Sequence, residues 1–116
     1  MSEISKLEQS FIIKKIDSTT INIQITNNEM LMSIVGEFNQ NLKELEKLTG
    51  TNIFFRGNSI TCKGKEGNLK DFSKAIKFLI DKYLLTNLIE KGDIMLSVKK
   101  NMKLEESNVQ SLKPLI

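Results

Sequence analysis

Two short segments near the amino terminus have the residue pattern of β-strands. Phe11 to Ile16 is rich in isoleucine, and Thr20 to Ile25 alternates strictly, with isoleucine at every second position and a polar amide between. A period of two is typical of a strand with one buried and one solvated face. The intervening Asp17-Ser18-Thr19 consists of turn-forming residues and predicts a hairpin.

The next stretch has helical spacing in two pieces separated by a glycine. Asn27 or Asn28 is suited to cap a short helix that ends near Gly36. A second helix follows, with Asn39 as its predicted N-cap. Gly50 is suited to end this helix, because helices often terminate at a residue with left-handed backbone angles, which glycine adopts readily. The apolar positions that define the two helices are Met30, Leu31, Ile34, Val35, Leu42, Leu45 and Leu48.

The second half of the chain predicts another hairpin and a long helix. Residues 53–56 and 59–63 are predicted strands joined by Gly57 and Asn58, both of which tolerate the positive φ of a tight turn. After a glycine-containing break at residues 64–67, the spacing predicts an amphipathic helix. Its apolar stripe is Leu69, Phe72, Ile76, Leu79, Ile80, Tyr83 and Leu84, and its opposite side carries Lys70, Lys74 and Lys77. We expect Phe54 and Phe55 to be core residues as well.

The predicted order β-β-α-α-β-β-α is an α+β fold of two layers, with three helices on one face of a small, mainly antiparallel sheet. Beyond it, Asp93 is suited to cap one more short helix through Met95 and Val98, and the chain then becomes polar. We therefore predict a flexible terminus over residues 1–10, one domain over residues 11–92, and a short helix with a linker over residues 93–116.

Composition narrows the possible functions. The chain has 116 residues, no histidine and one cysteine, Cys62. Without histidine, the commonest general base and a principal zinc ligand are missing, so we expect no catalytic residue and no metal site. One cysteine cannot form an internal disulfide, and no segment has the pattern of a secretory signal or a membrane helix, which favours a cytoplasmic protein with Cys62 as a small buried side chain.

Charge adds little by itself. The 17 basic and 14 acidic residues give a net charge of +3, and Arg56 is the only arginine. Such a small excess is compatible with nucleic-acid binding and equally with a solvated surface. The carboxylates are expected to be surface charges, because none follows a pattern that places it in an apolar setting.

The segment Gly36-Glu37-Phe38-Asn39 resembles the GxxG loop of the KH module, in which a turn between two helices clamps an RNA backbone. We predict that the bend at Val35–Phe38 directs main-chain amides outward, beside the favourable potential of a helix N-terminus. Asn39 in place of the second glycine and the negative charge of Glu37 should weaken phosphate binding, and a plain helix–helix turn is the alternative. Phe38 can stack on a base, although an aromatic between two helices is more often a core residue.

A longer pattern resembles the amino-terminal region of bacterial PhoH-like proteins. It consists of Asn27 to Leu42, Leu45-Glu46, Gly50, and Ile53 to Asn58 with its Arg-Gly-Asn, and the resemblance spans residues 27–85. That family places a KH-like domain before a P-loop ATPase domain and is linked to RNA handling; asparagine at the position of Asn39 is normal in it.

The resemblance implies a KH-like (type I-like) domain that binds RNA, with ATP and magnesium bound by an ATPase half. This chain contains no G-x-x-x-x-G-K-[ST] sequence, so we expect no cofactor and no enzymatic activity in it. The polar segment near its end resembles the start of the connection to that half, which indicates a fragment of a longer protein.

We predict weak binding of RNA, and neither DNA nor a membrane as a partner. The predicted RNA-contacting residues are Gly36, Phe38 and Asn39 in the loop, Asn41 and Lys43 at the start of the helix, and Arg56 and Asn58 in the hairpin. Lys47 lies one turn from Lys43 and can also reach phosphate, although a solvated helix face accounts for both lysines. The alternative function is a degenerate KH-like domain that binds protein, either the ATPase half or a partner ribonuclease, without contacting RNA.

Overall fold

The structure, a computed structural model, describes residues 11–99. Its elements are β1 (Phe11–Asp17), β2 (Thr20–Ile25), α1 (Asn28–Val35), a 3-10 turn (Glu37–Asn39), α2 (Gln40–Thr49), β3 (Asn52–Arg56), β4 (Ser59–Lys63) and α3 (Glu66–Thr86), followed by α4 over residues 91–99. The predicted flexible terminus over residues 1–10 and most of the predicted linker lie outside the described residues. No helix within residues 11–99 combines the length and apolarity needed to cross a bilayer.

The strands form one antiparallel sheet in the order β1-β2-β4-β3. The alternation in β2 decides which face is covered, because Ile23 and Ile25 are fully buried whereas Asn22 and Gln24 lie on the other side. Ile23 pairs with Ile60 across β4, so the isoleucines form one continuous apolar surface under the helices. The opposite side, which carries Asn22, Gln24 and their cross-strand neighbours, is called the open face below. The α+β prediction is confirmed.

Local signals set the ends of the first two helices. The Asn27 side chain accepts a hydrogen bond from the Met30 amide at 3.1 Å, which confirms the predicted cap of α1. Gly50 ends α2 in the left-handed conformation, and its amide donates to the carbonyl of Glu46 at 2.9 Å. The predicted apolar stripe of α3 is also confirmed from Leu69 to Tyr83. The core residues contributed by these helices are Met30, Leu31, Ile34, Val35, Leu42, Leu45, Leu69, Phe72, Ala75, Ile76, Leu79, Ile80 and Tyr83.

Three predictions for the segment from Ile53 to Gly67 are wrong. Phe54 is 55% exposed on the open face, because successive side chains of a strand point to opposite sides and Phe55 takes the inner position. In the β3–β4 turn only Gly57 has a positive φ, so Asn58 does not use its tolerance for that conformation. Gly67 does not break the chain, since α3 already begins at Glu66.

The last helix is part of the same core as the sheet. It begins at residue 91 instead of following a cap at Asp93, and Asp93 lies in its first turn. The Asp93 carboxylate accepts hydrogen bonds from the Glu90 amide and from Lys82 Nζ, both at 2.7 Å. Ile94 and Val98 are buried in the main cluster. Helix α4 is therefore held to α3 by apolar burial and by one buried carboxylate.

Candidate nucleic-acid interface

The turn between α1 and α2 depends on a glycine at its first position. Gly36 has φ 80° and ψ 168°, a region that only glycine occupies readily. A Cβ atom at this position would lie 2.6 Å from Cγ of Asn41. The Asn41 side chain in turn donates to the carbonyl of Ser33 at 3.2 Å, linking the start of α2 to the end of α1. The predicted contact residues Gly36 and Asn41 therefore fix the geometry of the turn.

Phe38 and Asn39 form the tip of this turn, and both have left-handed backbone angles (φ 54° and 60°). For Phe38 this conformation costs about 1–2 kcal/mol, whereas asparagine tolerates it. The Phe38 ring is 89% exposed, so the expectation that it belongs to the core is wrong. Asn39 occupies the N-cap position of α2, but its side chain makes no capping bond, because a left-handed backbone is not the extended conformation that capping requires. The predicted N-cap position of Asn39 is therefore confirmed, but the side-chain capping bond is absent.

The main-chain amides of the turn divide into two groups. The Gly36 amide donates to Met32 at 2.9 Å and the Asn39 amide donates to Gly36 at 3.2 Å, so these two are directed inward. Neither the Glu37 amide nor the Phe38 amide donates to a main-chain acceptor within the described residues. The prediction of outward amides is thus wrong for Gly36. An anion at the N-terminus of α2 would meet the amides of Glu37 and Phe38.

A basic cleft of about 590 Å³ begins beside the turn, between the outer side of α2 and the start of α4. Its lining residues are Gln40, Asn41, Lys43, Glu44, Lys47, Lys91, Gly92 and Met95. The three lysines outnumber the one carboxylate, and they come from two helices. The cleft therefore offers positive charge along a path that leads away from Phe38.

The predicted hairpin residues lie elsewhere. The Asn58 carbonyl accepts from the Ile25 amide at 2.9 Å, which places the hairpin near the start of α1. The turn lies at the other end of this eight-residue helix, roughly 12 Å away at 1.5 Å per residue. Arg56 projects from the open face. It pairs with Ser59, which in turn pairs with Gln24, and paired residues share a face of the sheet. The structure thus brings together the predicted contacts from Gly36 to Lys43 and separates Arg56 and Asn58 from them.

Sequence reasoning missed Lys91 and Met95 as neighbours of Lys43. Their proximity depends on how α4 docks, and no local pattern reports that docking. Cys62 is buried as predicted, and burial raises the pKa of its thiol to about 11, so it stays protonated and unreactive at neutral pH. Within residues 11–99 no group of three or more histidine, cysteine, aspartate or glutamate side chains is placed to hold a metal ion.

Neither a scan against protein-family models nor a search of curated proteins finds a match to this sequence. Function is therefore inferred from the exposed turn, the basic cleft and the sheet.

Proposed function

We propose that this chain is a KH-like RNA-binding domain of the PhoH-like type, which holds single-stranded RNA at the turn around Gly36 and along the basic cleft. The element order from β2 to α3 supports this proposal: one strand, two helices, a hairpin and a long helix, with the helices on one face of an antiparallel sheet. The turn between the first two helices is the position at which a KH module clamps the RNA backbone.

The exposed ring of Phe38 is the observation that carries the proposal. An aromatic side chain gains nothing for folding when it is 89% exposed and its backbone is strained. Strain of this kind persists most often at functional sites. A base stacked on the ring would leave its phosphate near the amides of Glu37 and Phe38, and the lysines of the cleft would neutralise the following phosphates. The Glu37 carboxylate opposes this binding, so the affinity is weak.

In this proposal the chain is an accessory domain in the cytoplasm and carries out no reaction. ATP and magnesium would be bound by an ATPase half, as the resemblance to PhoH-like proteins implies. The domain would deliver RNA to that half, or keep it nearby, through contacts that do not depend on base identity. Stacking and phosphate contacts are both tolerant of sequence.

Removing two charges from the cleft tests the phosphate contacts. We expect Lys43→Gln with Lys47→Gln to weaken binding of a fluorescein-labelled oligouridine about tenfold at low salt, measured by fluorescence anisotropy. The slope of log affinity against log salt concentration should become shallower by about 1.4, because each phosphate contact on a single strand contributes about 0.7. The matched control is Lys74→Gln with Lys77→Gln on the exposed side of α3. Equal losses in the two double variants would contradict the proposed cleft.

Replacing Phe38 separates stability from binding. We expect Phe38→Asn to raise the free energy of unfolding by about 1 kcal/mol, because asparagine tolerates the left-handed backbone. The same change should weaken oligouridine binding about tenfold, since a stacked base is worth about 1–3 kcal/mol. Urea unfolding and anisotropy measure the two effects. Phe38→Leu is the control, because it keeps the backbone strain and loses only the ring; unchanged affinity in both variants would rule out stacking.

A second candidate function is protein binding without RNA contact. It is favoured by exposed apolar side chains around the end of α3 and the outer side of α4. These are Leu85, Leu88, Met95 and Leu96, which are 84%, 54%, 41% and 47% exposed. The partner in this case is the ATPase half or a ribonuclease. Light scattering of the chain alone and a pull-down with the ATPase half distinguish this function, provided that oligouridine fails to bind at low salt.

A further inference from the structure

The open face of the sheet has an ordered polar centre. The Asn22 side-chain amide donates to Ser59 Oγ at 2.6 Å and to Thr61 Oγ1 at 3.0 Å, so one asparagine on β2 is fixed against two hydroxyls on β4. Gln24 is the cross-strand partner of Ser59 on the same face. Amides and hydroxyls both donate and accept hydrogen bonds. Both amide hydrogens of Asn22 are used in these bonds, so its Oδ1, the two hydroxyl hydrogens and the Gln24 amide remain for the edge of a flat polar ligand.

An exposed aromatic residue lies next to that centre. Phe54 pairs with Thr61 across β3 and β4 and is 55% exposed. Lys63 Nζ lies 5.8 Å from the centroid of the Phe54 ring, within cation–π range. Arg56 projects from the same face two residues further along β3. The edge of the sheet thus presents one ring flanked by two cations.

The charge of the strands is almost entirely positive. Among the described strand residues the only carboxylate belongs to Asp17, at the corner where β1 ends. Asp17 Oδ1 accepts hydrogen bonds from the Thr19 amide and hydroxyl at 2.9 and 3.0 Å, which hold it toward the turn and lower the pKa of Asp17. Lys14 adds a cation to the open face, opposite Asn22. An anionic ligand is therefore the electrostatic complement of this face.

We propose that the open face is a second RNA-binding surface, which takes a single-stranded segment with one base stacked on Phe54 and phosphates near Arg56, Lys63 and Lys14. Four-stranded sheets with exposed aromatics bind RNA in this way, stacking bases on the rings. Phe54 on β3 and Lys14 on β1 are three strand spacings apart, roughly 14 Å, which gives a strand of RNA several contacts across the sheet.

A second copy of this chain fits the face less well. A two-fold dimer presents the same surface from both subunits. Stacking two open faces would bring the cations of one copy, Arg56, Lys63 and Lys14, close to the cations of the other. Like charges opposed in this way destabilise an interface, whereas phosphates neutralise them.

This surface is independent of the turn at Gly36, since the two lie on opposite sides of the sheet. A titration of the 15N-labelled full chain with oligouridine, followed by amide NMR spectra, therefore tests both sites at once. We expect shifts in the side-chain amides of Asn22 and Gln24 and in the backbone of Thr61. Shifts confined to the turn and the cleft would overturn this inference and leave the proposed function intact. Shifts confined to the open face would support this inference and contradict the proposed binding at the turn.

Two variants give the affinity test. We expect Phe54→Leu, and separately Arg56→Gln with Lys63→Gln, to weaken oligouridine binding about tenfold, with the double variant losing about 1.4 from the salt slope. Lys74→Gln with Lys77→Gln is again the charge-matched control, and thermal melts verify that each variant folds. Wild-type affinity in both variants would overturn the inference. The inference would also be overturned if light scattering showed a dimer that Phe54→Leu dissociates, and if RNA caused no NMR shifts on the open face.

Discussion

Replacing Gly36 with alanine is expected to lower the free energy of unfolding by about 3 kcal/mol. The backbone angles of Gly36 lie in a region where a residue with a Cβ atom is strained by about 1–3 kcal/mol. The added methyl group would also lie 2.6 Å from the Asn41 side chain, which would have to move and lose its hydrogen bond to the Ser33 carbonyl, a further cost of about 1 kcal/mol. Urea unfolding followed by far-UV circular dichroism measures the difference.

Two other glycines supply the controls. Gly57 has a positive φ of 62°, but a methyl group added there would meet no heavy atom within 4 Å, so Gly57→Ala is expected to lose only the backbone contribution, about 1–2 kcal/mol. Gly67 has neither constraint and lies in the first turn of α3, so Gly67→Ala should leave stability unchanged or raise it by up to about 1 kcal/mol. A loss for Gly36→Ala no larger than that for Gly57→Ala would contradict the contact with Asn41.

The features that the sequence predicted correctly are those decided by near neighbours. The Asn27 cap needs only an amide three residues later, and the Gly50 terminus needs only a residue that accepts a left-handed backbone. The strand alternation from Ile21 to Ile25 likewise follows from the period of two. Each of these signals lies within one turn or one strand, so each can be recognised without knowing the tertiary structure.

The features that it missed depend on distant contacts. Phe54 and Phe55 cannot both face the core, and the pairing of β3 with β4 decides that Phe55 does. Phe38 has left-handed backbone angles in the turn that begins at Gly36, and its ring points outward instead of packing between the helices. Arg56 was predicted to contact the same RNA as the turn, but α1 and the sheet lie between them.

The candidate site was therefore only partly predictable. The segment from Gly36 to Lys43 is contiguous, so its members stay together in any fold that keeps the two helices. The cleft also needs Lys91, which depends on the docking of α4, and the open face needs the register of all the strands. Cross-strand neighbours such as Asn22 and Thr61 are 39 residues apart in the chain, and no local pattern pairs them.

The docking of α4 gives the second large effect, because it relies on Asp93. We expect Asp93→Asn to destabilise the protein by about 2–3 kcal/mol, since it weakens two hydrogen bonds and leaves the Lys82 ammonium without its buried partner. Hydrogen exchange should show loss of protection at Ile94 and Val98. Glu90→Gln is the matched control, because the Glu90 carboxylate is 67% exposed and 3.8 Å from Lys82, and exposed ion pairs contribute less than about 1 kcal/mol.

The pH dependence of stability tests whether the charge of Asp93 is what stabilises the docked helix. Burial by itself raises the pKa of Asp93, but hydrogen bonds from Lys82 and from the Glu90 amide outweigh it, so the pKa lies below the ordinary value of 3.8. A carboxyl whose pKa is lowered by folding stabilises the native state above its unfolded pKa, and this stabilisation is lost as the pH falls through the folded pKa. The difference in unfolding free energy between the wild type and Asp93→Asn should thus be constant near neutral pH and shrink below pH 3.8. A difference that persists unchanged into strong acid would show that the Asp93 charge does not hold α4 in place.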